Sequence, residues 1–136
     1  MRRSDREIKS MEEIEAVIGE VAECRLGLCD DGMPYIVPMN FGYRRGNLYM
    51  HSAKEGRKLD IIRKNNNVCF EMDTGTEITR NEKACGWGAK FRSVIGFGKA
   101  YIIDDNEEKI SALNVIMKKY SGQESFEYDK RSLDKT

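Results

Sequence analysis

The sequence has one histidine, two prolines and no excess of charge of either sign, with 23 Lys and Arg set against 23 Asp and Glu. One histidine cannot complete a familiar zinc set, and with no matched acid pair it gives no case for a hydrolase. Balanced charge argues against a nucleic-acid footprint, which carries a basic excess, though it leaves room for a local basic pocket. No run approaches the roughly 18 apolar residues of a membrane span. The charged start MRRSDREIKS leads into no apolar signal core, so a cytoplasmic protein without membrane contact is expected. The cysteines, Cys24, Cys29, Cys69 and Cys85, form no C-x-x-C pair. Three of them lie in apolar strand patterns, so buried free thiols are expected rather than disulfides. There is no G-x-x-x-x-G-K-[ST], and Gly-Phe-Gly lies within a strand pattern, so no nucleotide fingerprint is present. Such a lack of acid–base machinery is expected where a bound cofactor carries the chemistry.

The length of 136 residues suits a single domain spanning 1–136. Ser10 with Glu13 forms a capping box, and Ile14, Val17, Ile18 and Val21 follow at helical spacing. Cys24 to Cys29 reads as a strand, Asp30-Asp31-Gly32 as a turn, and Tyr35 to Phe41 as a second strand. Pro38 marks an edge, a bulge or a close ligand approach there. After Arg44-Arg45-Gly46, Asn47 to His51 completes an expected antiparallel meander of three strands. A second S-x-x-E box, Ser52 to Glu55, predicts a helix directly after His51 that ends at Asn65-Asn66-Asn67. Val68 to Met72 is a fourth strand. Asp73 to Gly88 shows little periodicity and reads as a strand fragment with a long loop, where Trp87 is a lid, a dimer contact or a plug in a barrel end. Phe91 to Ile103 is the longest strand, with small residues at 96, 98 and 100 on one face. Asp104 to Glu108 opens a third helix, closed by Gly122. Residues 123–136 are polar and weakly patterned. Five or six antiparallel strands with inserted helices argue for a small decorated barrel.

The stretch HSAKEGRKLDII, His51 to Ile62, places the only histidine, a glycine and three cations at a strand-to-helix junction. A helix N-terminus offers unsatisfied N–H groups and partial positive charge. With Arg57 and Lys58 on its first turns and Gly56 permitting close approach, the junction suits a phosphate. The competing reading makes Arg57 and Lys58 solvated surface charges and Ser52 only a cap.

Several stretches then match one pattern in one order: Val37-Pro38-Met39-Asn40-Phe41-Gly42-Tyr43, His51-Ser52-Ala53-Lys54-Glu55-Gly56-Arg57-Lys58 and Ser93-Val94-Ile95-Gly96-Phe97-Gly98-Lys99-Ala100. Together they resemble the nitroimidazole-resistance branch of the pyridoxamine 5′-phosphate oxidase-like, FMN-binding split-barrel proteins. The resemblance implies a mainly β, α+β fold: a six-stranded antiparallel split β-barrel with about three helices. It implies a homodimer with FMN at the subunit interface. By position, Val37, Pro38, Met39 and Asn40 would lie along the isoalloxazine edge. His51 and Ser52 would meet the flavin and its phosphate side, with Ala53 and Gly56 completing the junction. Arg57 and Lys58 would grip the phosphate, and Ser93 would reach the cofactor from the long strand. The family pattern continues, after a segment like Arg131 to Thr136, into one more apolar strand, and the sequence stops at Thr136. The implied activity is flavin-dependent reduction, through N5, of a small flat aromatic acceptor such as a 5-nitroimidazole. Two alternatives stand beside it. One is a carrier or sensor of FMN or haem without turnover, with His51 as the histidine candidate for an axial ligand. The other is a pyridoxamine phosphate oxidase-like enzyme, which needs further basic residues near the C-terminus.

Overall fold

The structure is a computed structural model that describes residues 3–136; Met1 and Arg2, which open the charged start, lie outside it. Helix α1 spans Met11–Glu20, and the Ser10 hydroxyl accepts the Glu13 N–H at 3.4 Å, as the capping pattern predicts. Its stripe buries Val17 and Ile18. The last turn of α1 has no basic residue to meet its carbonyls. Lys119, far along the chain, supplies one: its ammonium donates to Ile18 O at 2.9 Å and Gly19 O at 3.1 Å, and sits 4.4 Å from the centre of the Phe41 ring. Burial lowers the Lys119 pKa from its ordinary value.

Strand β1 (Cys24–Asp30) turns through Asp31 and Gly32, both at positive φ, into β2 (Met33–Met39). Cys24, Leu26 and Leu28 face the core from alternate positions of β1, and Met39 joins them from β2. The expected meander then fails. The chain leaves the ladder at Asn40, and β3 (Phe41–Arg44) pairs with β4 (Asn47–Met50) as a separate two-stranded sheet. The cause is helix α3 (Asn106–Ser121). The Phe41 N–H donates to the Tyr120 hydroxyl at 3.0 Å, and that hydroxyl donates in turn to Ala22 O. Gly42 lies against the helix backbone, where an added Cβ would fall 2.5 Å from Val115 O. The α3 backbone can approach only because position 42 has no side chain.

Asp73 to Gly88 is also not mainly loop. Strand β5 runs Asn67–Thr79 and β6 runs Gly88–Lys99, paired from Asn67↔Lys99 to Thr79↔Gly88. β1 meets β5 only across Arg25–Gly27 and Cys69–Glu71, so past Asp73 the hairpin leaves the sheet as an arm. The register shifts between Thr74 and Glu77, where Gly75 has φ 68°. Every residue from Gly75 to Ser93 is exposed, so this arm carries no burial alternation for a sequence reading to detect. β6 ends at Lys99 rather than Ile103. The small face of β6 does admit a close neighbour: a Cβ at Gly96 would fall 2.3 Å from the Phe70 ring.

Asp105 caps α3 by accepting the Glu108 N–H at 2.9 Å, and Gly122 ends it at φ 76°. Within the polar segment after it, α4 (Lys130–Leu133) buries Leu133. The strand order is β2-β1-β5-β6 beside β3-β4, with all pairings antiparallel: a six-stranded α+β split barrel. Its core gathers Ile18, Leu26, Met39, Phe41 and Met72 with Ile61 from helix α2 (Arg57–Lys64). β2 is an edge strand, which accommodates Pro38. All four cysteines are free; Cys24 is buried, Cys29 and Cys69 are half-buried, and Cys85 is exposed.

Candidate functional site

The junction after β4 differs from the capping-box expectation. The Ser52 hydroxyl donates to Ala53 O at 2.8 Å and caps nothing. Helix α2 starts at Arg57, with Gly56 at the N-cap at φ 133°, ψ 161° and no side-chain cap. That backbone geometry favours glycine, so Gly56 fixes the start of the helix and leaves Ser52 to Glu55 in the loop. The helix N-terminus consequently keeps N–H donors that no side chain satisfies.

Arg57 and Lys58 diverge, because neighbours on a helix are turned about 100° apart. The Arg57 guanidinium lies 3.7 Å from the Asp30 carboxylate and 4.5 Å from the centre of the Tyr35 ring. The Lys58 ammonium is part-buried and lies 3.7 Å from Met39 Sδ. No acid stands within ion-pair distance of Lys58 among the described residues. The first turn of α2 therefore spans β2 from Tyr35 to Met39, joining two stretches that the sequence keeps well apart.

Of the residues expected at the site, Met39, Ser52, Ala53, Gly56 and Lys58 line one cavity of about 1160 Å³. Its apolar floor includes Leu26, Val68 and Phe70, and Lys54, Arg63 and Lys99 lie among its basic residues. Val37, Pro38, Asn40, His51, Arg57 and Ser93 lie outside that lining. Val37 and Pro38 sit on β2 beside Met39, and His51 is exposed at the end of β4. The Asn40 amide approaches the Tyr120 hydroxyl at 3.4 Å. Ser93 stands opposite Asp73 at the root of the arm, on the outer face of the sheet, which it shares with Pro38 but not with Val37 or Met39. Asp30 and Tyr35, which hold Arg57, carried no sequence signal: one read as a turn residue and the other as an ordinary strand aromatic.

The outer face that carries Ser93 is apolar and open. Ile36, Ile95, Phe97 and Phe91 lie on it, and Phe97 is 84% exposed. Arg25 crosses the same face to Glu71 at 3.0 Å and to Asp73 at 2.8 Å.

The model of the family described as "Pyridoxamine 5′-phosphate oxidase" matches residues 10–136. A crystal structure from Bacteroides thetaiotaomicron, described as that of a candidate 5-nitroimidazole antibiotic resistance protein, is similar at 36% identity. That match has a TM-score of 0.84 and covers 94% of this chain and 76% of the other. An FAD- and haem-binding protein from Mycobacterium smegmatis shares the fold at 16% identity and a TM-score of 0.84, over 94% of this chain and 63% of its own. An uncharacterized protein of Rhizobium meliloti is 34% identical over 65 residues, which is 48% of this chain and 42% of that relative.

Proposed function

The chain belongs to the pyridoxamine 5′-phosphate oxidase family, and from that premise we propose that it is a flavoprotein of the nitroimidazole-resistance branch, holding FMN beside the first turn of α2. The observation that carries this reading is the Lys58 ammonium, part-buried against Met39 with no acid among the described residues to neutralise it, beside a helix N-terminus that no side chain caps. Such a cation is costly to leave alone and is well matched to a phosphate. The residues proposed for the cofactor are those of the resemblance: Val37 to Asn40 along β2, His51 to Ala53, Gly56, Arg57 and Lys58 at the junction, and Ser93. Ser93 lies on the outer face, so its part depends on a second copy bringing its own junction to that face. The open stripe of Ile36, Ile95 and Phe97 supports a homodimer through the same surface.

When bound, the flavin supplies electron transfer to a small flat acceptor, such as a nitroaromatic ring stacked on it. The protein's own part is to fix the phosphate, present the β2 backbone and exclude water. The 36% identity to the Bacteroides protein supports the nitro acceptor.

The test is the absorbance spectrum of the purified protein before and after addition of FMN. Flavin bands that stay with wild type through gel filtration, with the phosphate-free ribityl flavin failing to bind, are the expected result. A protein that remains colourless and ignores FMN overturns the proposal, and a haem Soret band would move attention to His51.

A further inference from the structure

Two cations that follow each other in sequence are easily taken as one phosphate clamp, yet their surroundings differ. Asp30, at the end of β1, lies 3.7 Å from Arg57 at the first position of α2 and 3.9 Å from Lys64 at its last. Residues seven apart lie on one helix face, so a single carboxylate meets both ends of the helix. Asn65, just past the helix, adds a bond to the same strand end, its amide donating to Cys29 O at 3.3 Å. The Arg57 guanidinium also lies over the Tyr35 ring of β2. These contacts tie α2 to the sheet at both of its ends. Lys58 takes part in none of them.

We infer that the basic pair is divided in role: Lys58 takes the anion, while Arg57 is a positioning residue that clamps the start of α2 through Asp30 and Tyr35. This rests on the flavin reading above and narrows it, since that reading gives the phosphate to both residues. In this arrangement Asp30 acts at a distance. It sets where the uncapped N–H groups and the Lys58 ammonium point without touching the ligand.

The experiment titrates wild type, Lys58→Gln, Arg57→Gln and Asp30→Asn with FMN, following flavin fluorescence at several KCl concentrations. Melting of each protein is recorded without flavin. Lys58→Gln is expected to weaken FMN binding at least tenfold and to flatten its dependence on salt, because the charge facing the ligand is gone. Its melting temperature stays level or rises, since an unpaired part-buried ammonium is removed. Arg57→Gln is expected to weaken binding less than threefold, to keep the wild-type salt slope, and to melt lower. Asp30→Asn should follow Arg57→Gln in all three respects. An Arg57→Gln protein that loses as much affinity as Lys58→Gln, with a flattened salt slope, makes Arg57 a ligand and overturns the division. If wild type does not bind FMN, the flavin reading falls and takes the role of Lys58 with it. The clamp is then judged by melting alone, where Arg57→Gln and Asp30→Asn melting like wild type would overturn it.

Discussion

Phe41 is fully enclosed and Phe91 is 58% exposed, and the regions around them differ in the same way. Around Phe41, α1, β3 and α3 are joined by long-range bonds: Lys119 closes the end of α1, and Tyr120 ties Phe41 to Ala22 just past it. Around Phe91, the β5–β6 arm satisfies its backbone within its own hairpin and leaves its side chains in water. Ion pairing between Arg92 and Glu20 of α1 at 2.6 Å holds its root. The difference separates two uses of apolar residues. In the body they supply folding free energy. On the arm and the adjoining outer face they add little to the monomer, so they remain free to meet another surface.

The strongest way to break this contrast is to truncate both rings. Phe41→Ala is expected to cost about 3–5 kcal/mol in urea unfolding, the range for an enclosed aromatic. Phe91→Ala in the monomer should stay within about 0.5 kcal/mol, the range for surface changes. Comparable losses would mean that the arm is part of the folding core. Next in size, Tyr120→Phe should cost about 1–3 kcal/mol, because the N–H of the enclosed Phe41 loses its acceptor; wild-type stability would show that the bridge contributes nothing. The doubly substituted Ile95→Ser, Phe97→Ser protein should keep its unfolding midpoint when monomeric and lose any dimer seen by light scattering. An unchanged dimer would remove the outer face as the contact.

The smallest effect compares two thiols. Cys85, exposed on the arm, should react with a chromogenic disulfide reagent at pH 8 within the mixing time, while Cys24 waits for unfolding. Burial pushes the Cys24 pKa up to about 11 from an ordinary value of 9.0. Between those values the unfolded chain has lost the proton that the folded chain keeps. Cys24 therefore makes stability fall as pH rises through that window, and a Cys24→Ala protein should show a shallower decline.

The body was far more legible than the arm. Ser10 and Glu13, the stripe of α1 and the short strand from Cys24 to Cys29 are local patterns, and the structure follows them. The extension of β5 past Met72 and the start of β6 before Phe91 were missed because pairing, unlike burial, leaves no period in sequence when both faces are wet. The break at Asn40 was invisible for another reason: it depends on Tyr120, some 80 residues away by chain. At the junction, the sequence marked Gly56, Arg57 and Lys58 as residues to watch, but S-x-x-E suggested the wrong helix start. Only the φ of Gly56 resolves that, and only the fold shows Asp30 meeting Arg57.

Gly42 leads somewhere apart from ligands. A single methyl group there would meet the carbonyl of Val115 on a helix that is itself anchored by Lys119 and Tyr120, so neither partner can give way cheaply. Most one-base changes in a glycine codon add at least that methyl. Such an allele would alter no residue at the junction between β4 and α2. A cell would register the change in how much of the protein survives chaperones and proteases, so position 42 sets abundance.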